Sequence, residues 1–169
     1  QSHRLKNSFK AANQLSGQTA IFYQGRLVSF DSSPNKDMKF VRFADLCIPK
    51  NDVHENNTKE TIENFLYGLA KPTLVERTQQ LAHKHGFKPK RISIRNQKTR
   101  WGSCSNSGTI SLNWRLIQIP SFVRDYVILH ELVHLQYLDH SSMFWDRLGK
   151  LCQNHQAAES WLKEYSQQV

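Results

Sequence analysis

The chain has 169 residues, of which 23 are lysine or arginine and 14 are aspartate or glutamate, giving a formal net charge of +9. This length suits a single domain, 1–169, and the basic balance favours polyanionic partners or acidic surfaces. The three widely separated cysteines predict neither a disulfide framework nor a thiolate zinc site, and no apolar run approaches the roughly 20 residues of a membrane helix. We therefore expect a soluble protein of a reducing compartment, the cytoplasm.

The N-terminal part, residues 1–57, is predicted to be rich in β-structure. Its first 15 residues are basic and polar, and we expect them to form a mobile arm or a short helix. Four later segments alternate polar and apolar residues, with turn signals between them. These predicted strands are 20–23, 26–30, 38–43 and 46–48. The first two form a hairpin around Gln24-Gly25.

From Thr58 the apolar residues have helical spacing, and the segment ends at Gly86, a residue type favoured just after a helix. Pro72 lies inside this segment and should kink the helix or divide it into two. His83 and His85 are two residues apart and point away from each other on a helix. We therefore expect both to be solvated rather than to bind metal.

Short strands and then helices are predicted for the rest of the chain. Residues 92–95 and 109–113 have strand character. Ser121 is a suitable N-cap for the helix that follows, and Asp125 lies in its early turns, where a negative charge suits the helix dipole. The tail, 143–169, has helical spacing, and its residues Phe144, Trp161 and Tyr165 are expected in the core.

The helix after Ser121 contains the pattern His130-Glu131-Leu-Val-His134. Because a helix turns about 100° per residue, the two histidines stand on one face with Glu131 at its edge. This arrangement is typical of a divalent metal site with a general base beside it. Apolar neighbours indicate a buried helix, where unpaired imidazoles and a carboxylate would cost several kcal/mol. The other interpretations are a buried helix with satisfied histidines, or a Glu131 that orients a ligand instead of acting as a base.

A catalytic zinc site needs a third protein ligand and leaves its fourth position to water. His140 lies six residues beyond His134, about 240° away on a continuous helix, so the helix must end before it. Short polar side chains at 139–142 can stop one helix and cap the next. The sequence therefore predicts one zinc ion on His130, His134 and His140, with Glu131 as the base.

Four segments carry a resemblance to a known family. They are Thr-Arg-Trp-Gly-Ser-Cys-Ser (99–105), Gly-Thr-Ile-Ser-Leu-Asn-Trp-Arg-Leu (108–116), Asp-Tyr-Val-Ile-Leu-His-Glu-Leu-Val-His (125–134) and Asp-His-Ser-Ser-Met-Phe-Trp (139–145). Together they resemble the YgjP-like metal-dependent hydrolases, relatives of the SprT-like zinc peptidases. The resemblance implies an α+β, zincin-like domain, with a small and mostly antiparallel sheet packed on helices and residues 58–169 as its metallohydrolase core.

The resemblance also implies the same three zinc ligands and the same base, and it implies that Phe144 and Trp145 pack behind the site. The most favoured function is a zinc-dependent metallopeptidase that uses a zinc-bound water activated by Glu131. One alternative is a metal-dependent hydrolase of nucleoside triphosphates, although no glycine-rich phosphate loop is present. Another is a nucleic-acid-associated module with a structural zinc. Glu131 argues against it, because a structural site needs a fourth protein ligand and no base.

Three residues are candidates for stabilising the oxyanion or binding substrate: Arg100, Asn113 and Tyr137. If the strand 109–113 edges the cleft, a peptide or protein substrate could bind by adding itself as a further strand. No membrane partner is expected, and the sequence does not indicate an oligomeric state.

Basic residues also cluster ahead of the presumed cleft: Lys84, Lys88, Lys90, Arg91, Arg95, Lys98 and Arg100. They predict weak nucleic-acid binding that depends on salt but not on base sequence. The alternative is that these charges solvate the surface or bind acidic substrates.

Overall fold

The computed structural model of the chain describes residues 20–30, 40–49 and 58–165. Within them, seven short strands, one 3-10 helix and four α-helices alternate. The strands are β1 (Ala20–Tyr23), β2 (Arg26–Ser29), β3 (Phe40–Phe43), β4 (Leu46–Pro49), β5 (Arg91–Arg95), β6 (Gly102–Cys104) and β7 (Thr109–Asn113). The helices are α1 (Thr58–His85), the 3-10 helix (Trp114–Ile117), α2 (Ser121–Val133), α3 (Ser142–Leu151) and α4 (His155–Tyr165). The predicted N-terminal arm lies outside the described residues.

The predicted α+β class is confirmed, with the sheet structure divided into three small and mostly antiparallel units. The four N-terminal strands form two antiparallel hairpins, β1–β2 and β3–β4. The predicted turn at Gln24-Gly25 is confirmed, since both residues have positive φ angles of 50° and 75°. The backbone N–H groups of this turn donate to the carbonyls of Ile117 and Gln118, at 3.2 and 2.8 Å. The first hairpin is thereby attached to the segment that leads into α2.

Helix α1 runs without interruption from Thr58 to His85, although a proline inside a helix commonly ends it. Pro72 therefore does not divide it. The proline faces solvent, and the Thr73 hydroxyl donates to the carbonyl of Leu69 at 2.8 Å, which supplies a hydrogen bond beside the missing N–H. Gly86 follows with φ of 76°, as predicted for a residue that ends a helix.

The third sheet has the strand order β5-β7-β6, with β5 parallel and β6 antiparallel to β7. Ile110 and Leu112 of β7 are fully buried, so this strand lies in the core. The condition that strand 109–113 edges the cleft is not met, because both of its sides are already paired. Among the described residues, the edge strand that contacts α2 is β6, which the short sequence Gly-Ser-Cys did not predict.

Helix α2 is apolar on most sides and is packed among the other elements. It begins at Ser121 with Pro120 in the N-cap position, so the prediction of Ser121 as the cap is wrong by one residue. Asp125 accepts two hydrogen bonds from Arg77 of α1, Nε to Oδ1 at 3.0 Å and Nη2 to Oδ2 at 2.6 Å. This bidentate pair clamps α1 to α2 and raises the pKa of the guanidinium.

The predicted helical tail is two helices, α3 and α4, separated by Cys152–Asn154. Its aromatic residues Phe144, Trp161 and Tyr165 are buried, as predicted. The Tyr126 hydroxyl of α2 donates to a carboxylate oxygen of Glu159 in α4 at 2.9 Å. The last helix thus supports α2 from the side. In the described part of the chain no helix has the length and apolar character needed to cross a membrane.

Candidate metal centre

Helix α2 places His130 and His134 one turn apart, with their ring centroids 5.0 Å from each other. Its last helical residue is Val133, and His134 occupies the C-cap with φ of −62° and ψ of −16°. The helix therefore ends before His140, as the ligand spacing required. In the loop that follows, the N–H of Ser141 donates to Oδ1 of Asp139 at 3.2 Å, which turns the chain at His140.

This turn brings His140 back to the helical pair. Its Nε2 lies 3.0 Å from Nε2 of His130, and one nitrogen from each of the three histidines lies within 4.8 Å of the others. The structure thus assembles the three residues that the sequence predicted as ligands.

The donor set fits zinc. Two nitrogens bound at 2.0–2.1 Å to a tetrahedral zinc lie about 3.3 Å apart, close to the observed separation of His130 and His140. Nδ1 of His130 is buried and has no hydrogen-bond partner in the described residues. With the ring proton on Nδ1, the lone pair of Nε2 is available to bind a cation.

The three imidazoles rest on one aromatic side chain. Phe144 of α3 is fully buried, and its ring centroid lies 4.9, 4.6 and 4.8 Å from those of His130, His134 and His140. Trp145 stacks on His140, with centroids 5.7 Å apart and planes 29° apart, while 40% of its surface remains exposed. The implied packing of Phe144 behind the site is confirmed, and Trp145 flanks the site at the surface.

Hydrogen bonding and burial prepare two of the histidines for a metal. Nδ1 of His134 lies 2.9 Å from the carbonyl of Tyr137, so an N–H there donates to the carbonyl and leaves Nε2 free as a ligand. Burial lowers the pKa of His130 to about 4 and also lowers the pKa of His134. Both side chains are therefore neutral at pH 7, the form that binds metal.

Glu131 is buried, with 7% of its surface exposed, and it lies against strand β6. A Cβ placed on Gly102 would lie 2.7 Å from its Cγ, 2.8 Å from its Oε1 and 3.0 Å from its Cδ. Only glycine leaves room for the carboxylate here. Burial raises the pKa of Glu131 to about 7, and a divalent cation at the adjacent histidines would lower it by favouring the carboxylate.

Cys104 lies in the same strand as Gly102. Burial, and then the charge of Glu131, raise the pKa of its thiol. A protonated thiol is a poor nucleophile and a poor metal ligand.

The three predicted substrate contacts differ in what their side chains do. Arg100 is exposed at the end of the loop before β6. Tyr137 contributes to the site through its carbonyl, which bonds His134. Asn113 is buried, and its amide group donates to the carbonyls of Gln97 and Arg100, at 2.7 and 2.9 Å, and accepts from the N–H of Arg115. The side chain of Asn113 thus fastens the loop before β6 and has no donor left for a substrate.

Gly102 belongs to this site, but the sequence analysis did not identify it as a site residue. The available signal was a glycine within a short polar segment, since glycine in a strand often marks the close approach of another group. The approaching group, Glu131, is distant in sequence, so the signal did not identify it.

The chain is similar to known metallopeptidases. A family model described as the YgjP-like metallopeptidase domain matches residues 1–165, which confirms the resemblance predicted from the motifs. Among solved structures, the chain is similar to the metallopeptidase zymogen abylysin of Pyrococcus abyssi, with 21% identity and a TM-score of 0.48 over 55% of this chain and 95% of that one. A second similar structure is the metallopeptidase zymogen jannalysin of Methanocaldococcus jannaschii, with 21% identity and a TM-score of 0.48 over 57% and 97%. A search of curated proteins gave no significant match.

Proposed function

The chain belongs to the family of YgjP-like metallopeptidase domains, and from that premise we propose that it is a zinc-dependent peptidase with one zinc ion. The observation that carries the proposal is the juxtaposition of three histidine nitrogens within 4.8 Å of one another with a buried carboxylate on the same helix. His130, His134 and His140 would hold the metal, and Glu131 would act as the general base.

When bound, zinc would lower the pKa of a coordinated water to about 7 and polarise the scissile carbonyl. The protein prepares the site for this chemistry. The carbonyl of Tyr137 fixes the ring of His134, and Phe144 supports all three imidazoles from behind. Ligands oriented in this way need little reorganisation when the ion binds.

Glu131 would accept a proton from the attacking water and later give it to the leaving amine. Its position supports this role, because the carboxylate is one residue from a proposed ligand and is held between α2 and β6. A base needs a pKa near the operating pH in order to accept and release a proton, and burial keeps the pKa of Glu131 from falling far below it.

The substrate would be a peptide or protein bound as an extended strand along β6. Among the described residues this strand pairs with β7 alone and so forms an edge of the sheet, and it contains the glycine that lies against Glu131. A peptide added to β6 would hydrogen-bond through its backbone and bring a carbonyl beside the metal centre. Because these hydrogen bonds involve only the backbone, we expect little preference for the substrate sequence.

The two alternatives make different demands on the site. Hydrolysis of a nucleoside triphosphate needs groups that hold phosphates, and no glycine-rich phosphate loop is present in the sequence. A structural zinc needs a fourth protein ligand. Among the described residues, the clustered donors are three histidines, and Cys104 is not one of them.

We further propose a cytoplasmic location, which the three free cysteines support.

A substrate panel tests the proposed function. The zinc-loaded protein is incubated with an unfolded protein, with short quenched peptides and with nucleoside triphosphates, and the Glu131→Gln variant is assayed in parallel. We expect cleavage of the protein and peptides by the wild type alone. Release of phosphate or pyrophosphate without peptide cleavage would establish the nucleotide alternative instead.

A separate measurement tests the metal ligands. Each of the variants His130→Ala, His134→Ala and His140→Ala should lose zinc in the presence of a weak chelator. Stoichiometric zinc in His140→Ala would remove that residue from the site.

A further inference from the structure

The net charge of the chain is concentrated in one continuous segment. Residues 77–124 contain ten lysines or arginines and no aspartate or glutamate. Their charge of +10 exceeds the +9 of the whole chain, so all other residues together carry −1 (9 − 10). The basic pI of 9.6 therefore arises from the segment 77–124 and not from positive charge spread evenly along the chain.

Three of the ten cations are engaged within the protein. Arg77 and Arg124 pair with Asp125, and Arg115 donates to Oδ1 of Asn96 at 2.8 Å. The other seven side chains are exposed and have no ion pair or hydrogen bond within the part of the chain that the structure describes. These seven, which we call the basic track, are Lys84, Lys88, Lys90, Arg91, Arg95, Lys98 and Arg100.

The basic track follows the end of α1, the connection to β5, the strand itself and the loop after it. β5 is an edge strand, and Arg91 and Arg95 lie four residues apart on one of its faces, about 13 Å from each other at 3.3 Å per residue. The loop that carries Lys98 and Arg100 is held in place because its carbonyls accept from the amide of Asn113. These cations are therefore presented on a fixed backbone.

We propose that the basic track binds nucleic acid through its phosphates and without regard to base sequence. Exposed guanidinium and ammonium groups that recur along one segment suit a regular chain of phosphates. The large hydrophobic side chains exposed in the described residues all lie outside 84–100, so the track has no apolar group to insert into a lipid surface. Apart from Lys84, in the last turn of α1, its members lie on a strand and loops, so no helix presents a row of them to a groove for base reading.

The test measures binding of fluorescently labelled single-stranded DNA to the full-length, zinc-loaded protein, at about 50 and about 200 mM salt. The track variant carries Lys88→Gln, Arg91→Gln, Arg95→Gln and Lys98→Gln. A matched control loses the same charge at exposed lysines outside residues 77–124, namely Lys59→Gln, Lys71→Gln, Lys150→Gln and Lys163→Gln. Zinc content and thermal unfolding establish that both variants are folded.

We expect the wild type to bind DNA with an affinity that falls as the salt concentration rises. The track variant should lose up to about 2.8 units of the log–log salt slope, at about 0.7 per phosphate contact, while the control keeps a slope close to that of the wild type. Equal losses in both variants would overturn the proposal, because net charge alone would then explain binding. So would the absence of binding at low salt.

The same assay decides between classes of polyanion. Binding of polyglutamate or of phosphatidylglycerol vesicles as tightly as DNA, at equal charge concentration, would overturn nucleic acid as the partner. Failure of the peptidase proposal leaves this result unaffected, since Glu131→Gln should bind DNA as the wild type does.

Discussion

Replacing Gly102 by alanine should displace Glu131, the proposed general base, without preventing zinc from binding to the three histidines. The new Cβ would stand 2.7 Å from Cγ of Glu131, whereas ordinary contact between carbon atoms begins at about 3.5 Å. Cγ therefore has to retreat by about 0.8 Å. Because Cγ itself is in conflict, rotation of the carboxylate alone cannot relieve the contact, and the whole side chain must turn away from β6.

A displacement of about 1 Å in a catalytic group can cost on the order of 100-fold in rate. We expect kcat of Gly102→Ala to fall between about 10-fold and 100-fold, while zinc stoichiometry stays at the wild-type value because the histidines are not touched. Overpacking of this kind costs about 1–3 kcal/mol of stability, so a folded variant is expected. The assay is peptide hydrolysis at saturating substrate, with zinc content measured on the same samples.

Two controls isolate the contact with Glu131. Gly68→Ala adds the same methyl group at a helical position where no atom beyond the surrounding helix backbone lies within 4 Å, and it should leave kcat unchanged. In a Glu131→Gln background the Gly102→Ala change should have almost no further effect on the residual rate, because the base it displaces is already absent. Wild-type kcat in a zinc-loaded Gly102→Ala protein would refute the reasoning.

The remaining predictions concern the aromatic support and the buried carboxylate. Phe144→Leu should weaken zinc binding by about 10-fold to 100-fold, because all three imidazoles rest on that ring. Leu66→Ala, at a fully buried position of α1, should lower stability without a comparable loss of zinc affinity. In the metal-free protein, burial raises the pKa of Glu131 to about 7, so the folded state binds an extra proton and gains stability as pH falls from 7 towards 4.5. Urea unfolding at pH 7 and pH 5 should show the wild type gaining up to about 2 kcal/mol relative to Glu131→Gln; equal changes in the two proteins would contradict a raised pKa.

The sequence predicted those parts of the site that depend on local geometry. The placement of His130 and His134 on one face follows from the helical period alone, and the need for a turn before His140 follows from the same period. The N-terminal hairpin and the end of α1 followed from glycines at positions that adopt positive φ. In each case the responsible residues are close in sequence.

What the sequence could not predict depends on contacts between distant segments. Whether a strand lies at the edge or in the middle of a sheet is decided by its partners, so the sequence left open an edge position for Thr109–Asn113, which lies in the middle. The amide of Asn113 was a reasonable oxyanion donor until its three hydrogen bonds were known. Pro72 usually interrupts a helix, but an exposed position and the Thr73 hydroxyl allow α1 to continue.

The most direct test of the account compares Glu131→Gln with the wild type in peptide hydrolysis, with zinc measured in both. The amide cannot accept a proton, and the three histidines are unchanged. We predict stoichiometric zinc in both proteins and a kcat lower in the variant by about 10²-fold to 10⁴-fold. Hydrolysis at a near-normal rate in a zinc-loaded variant would contradict the role of Glu131 as general base.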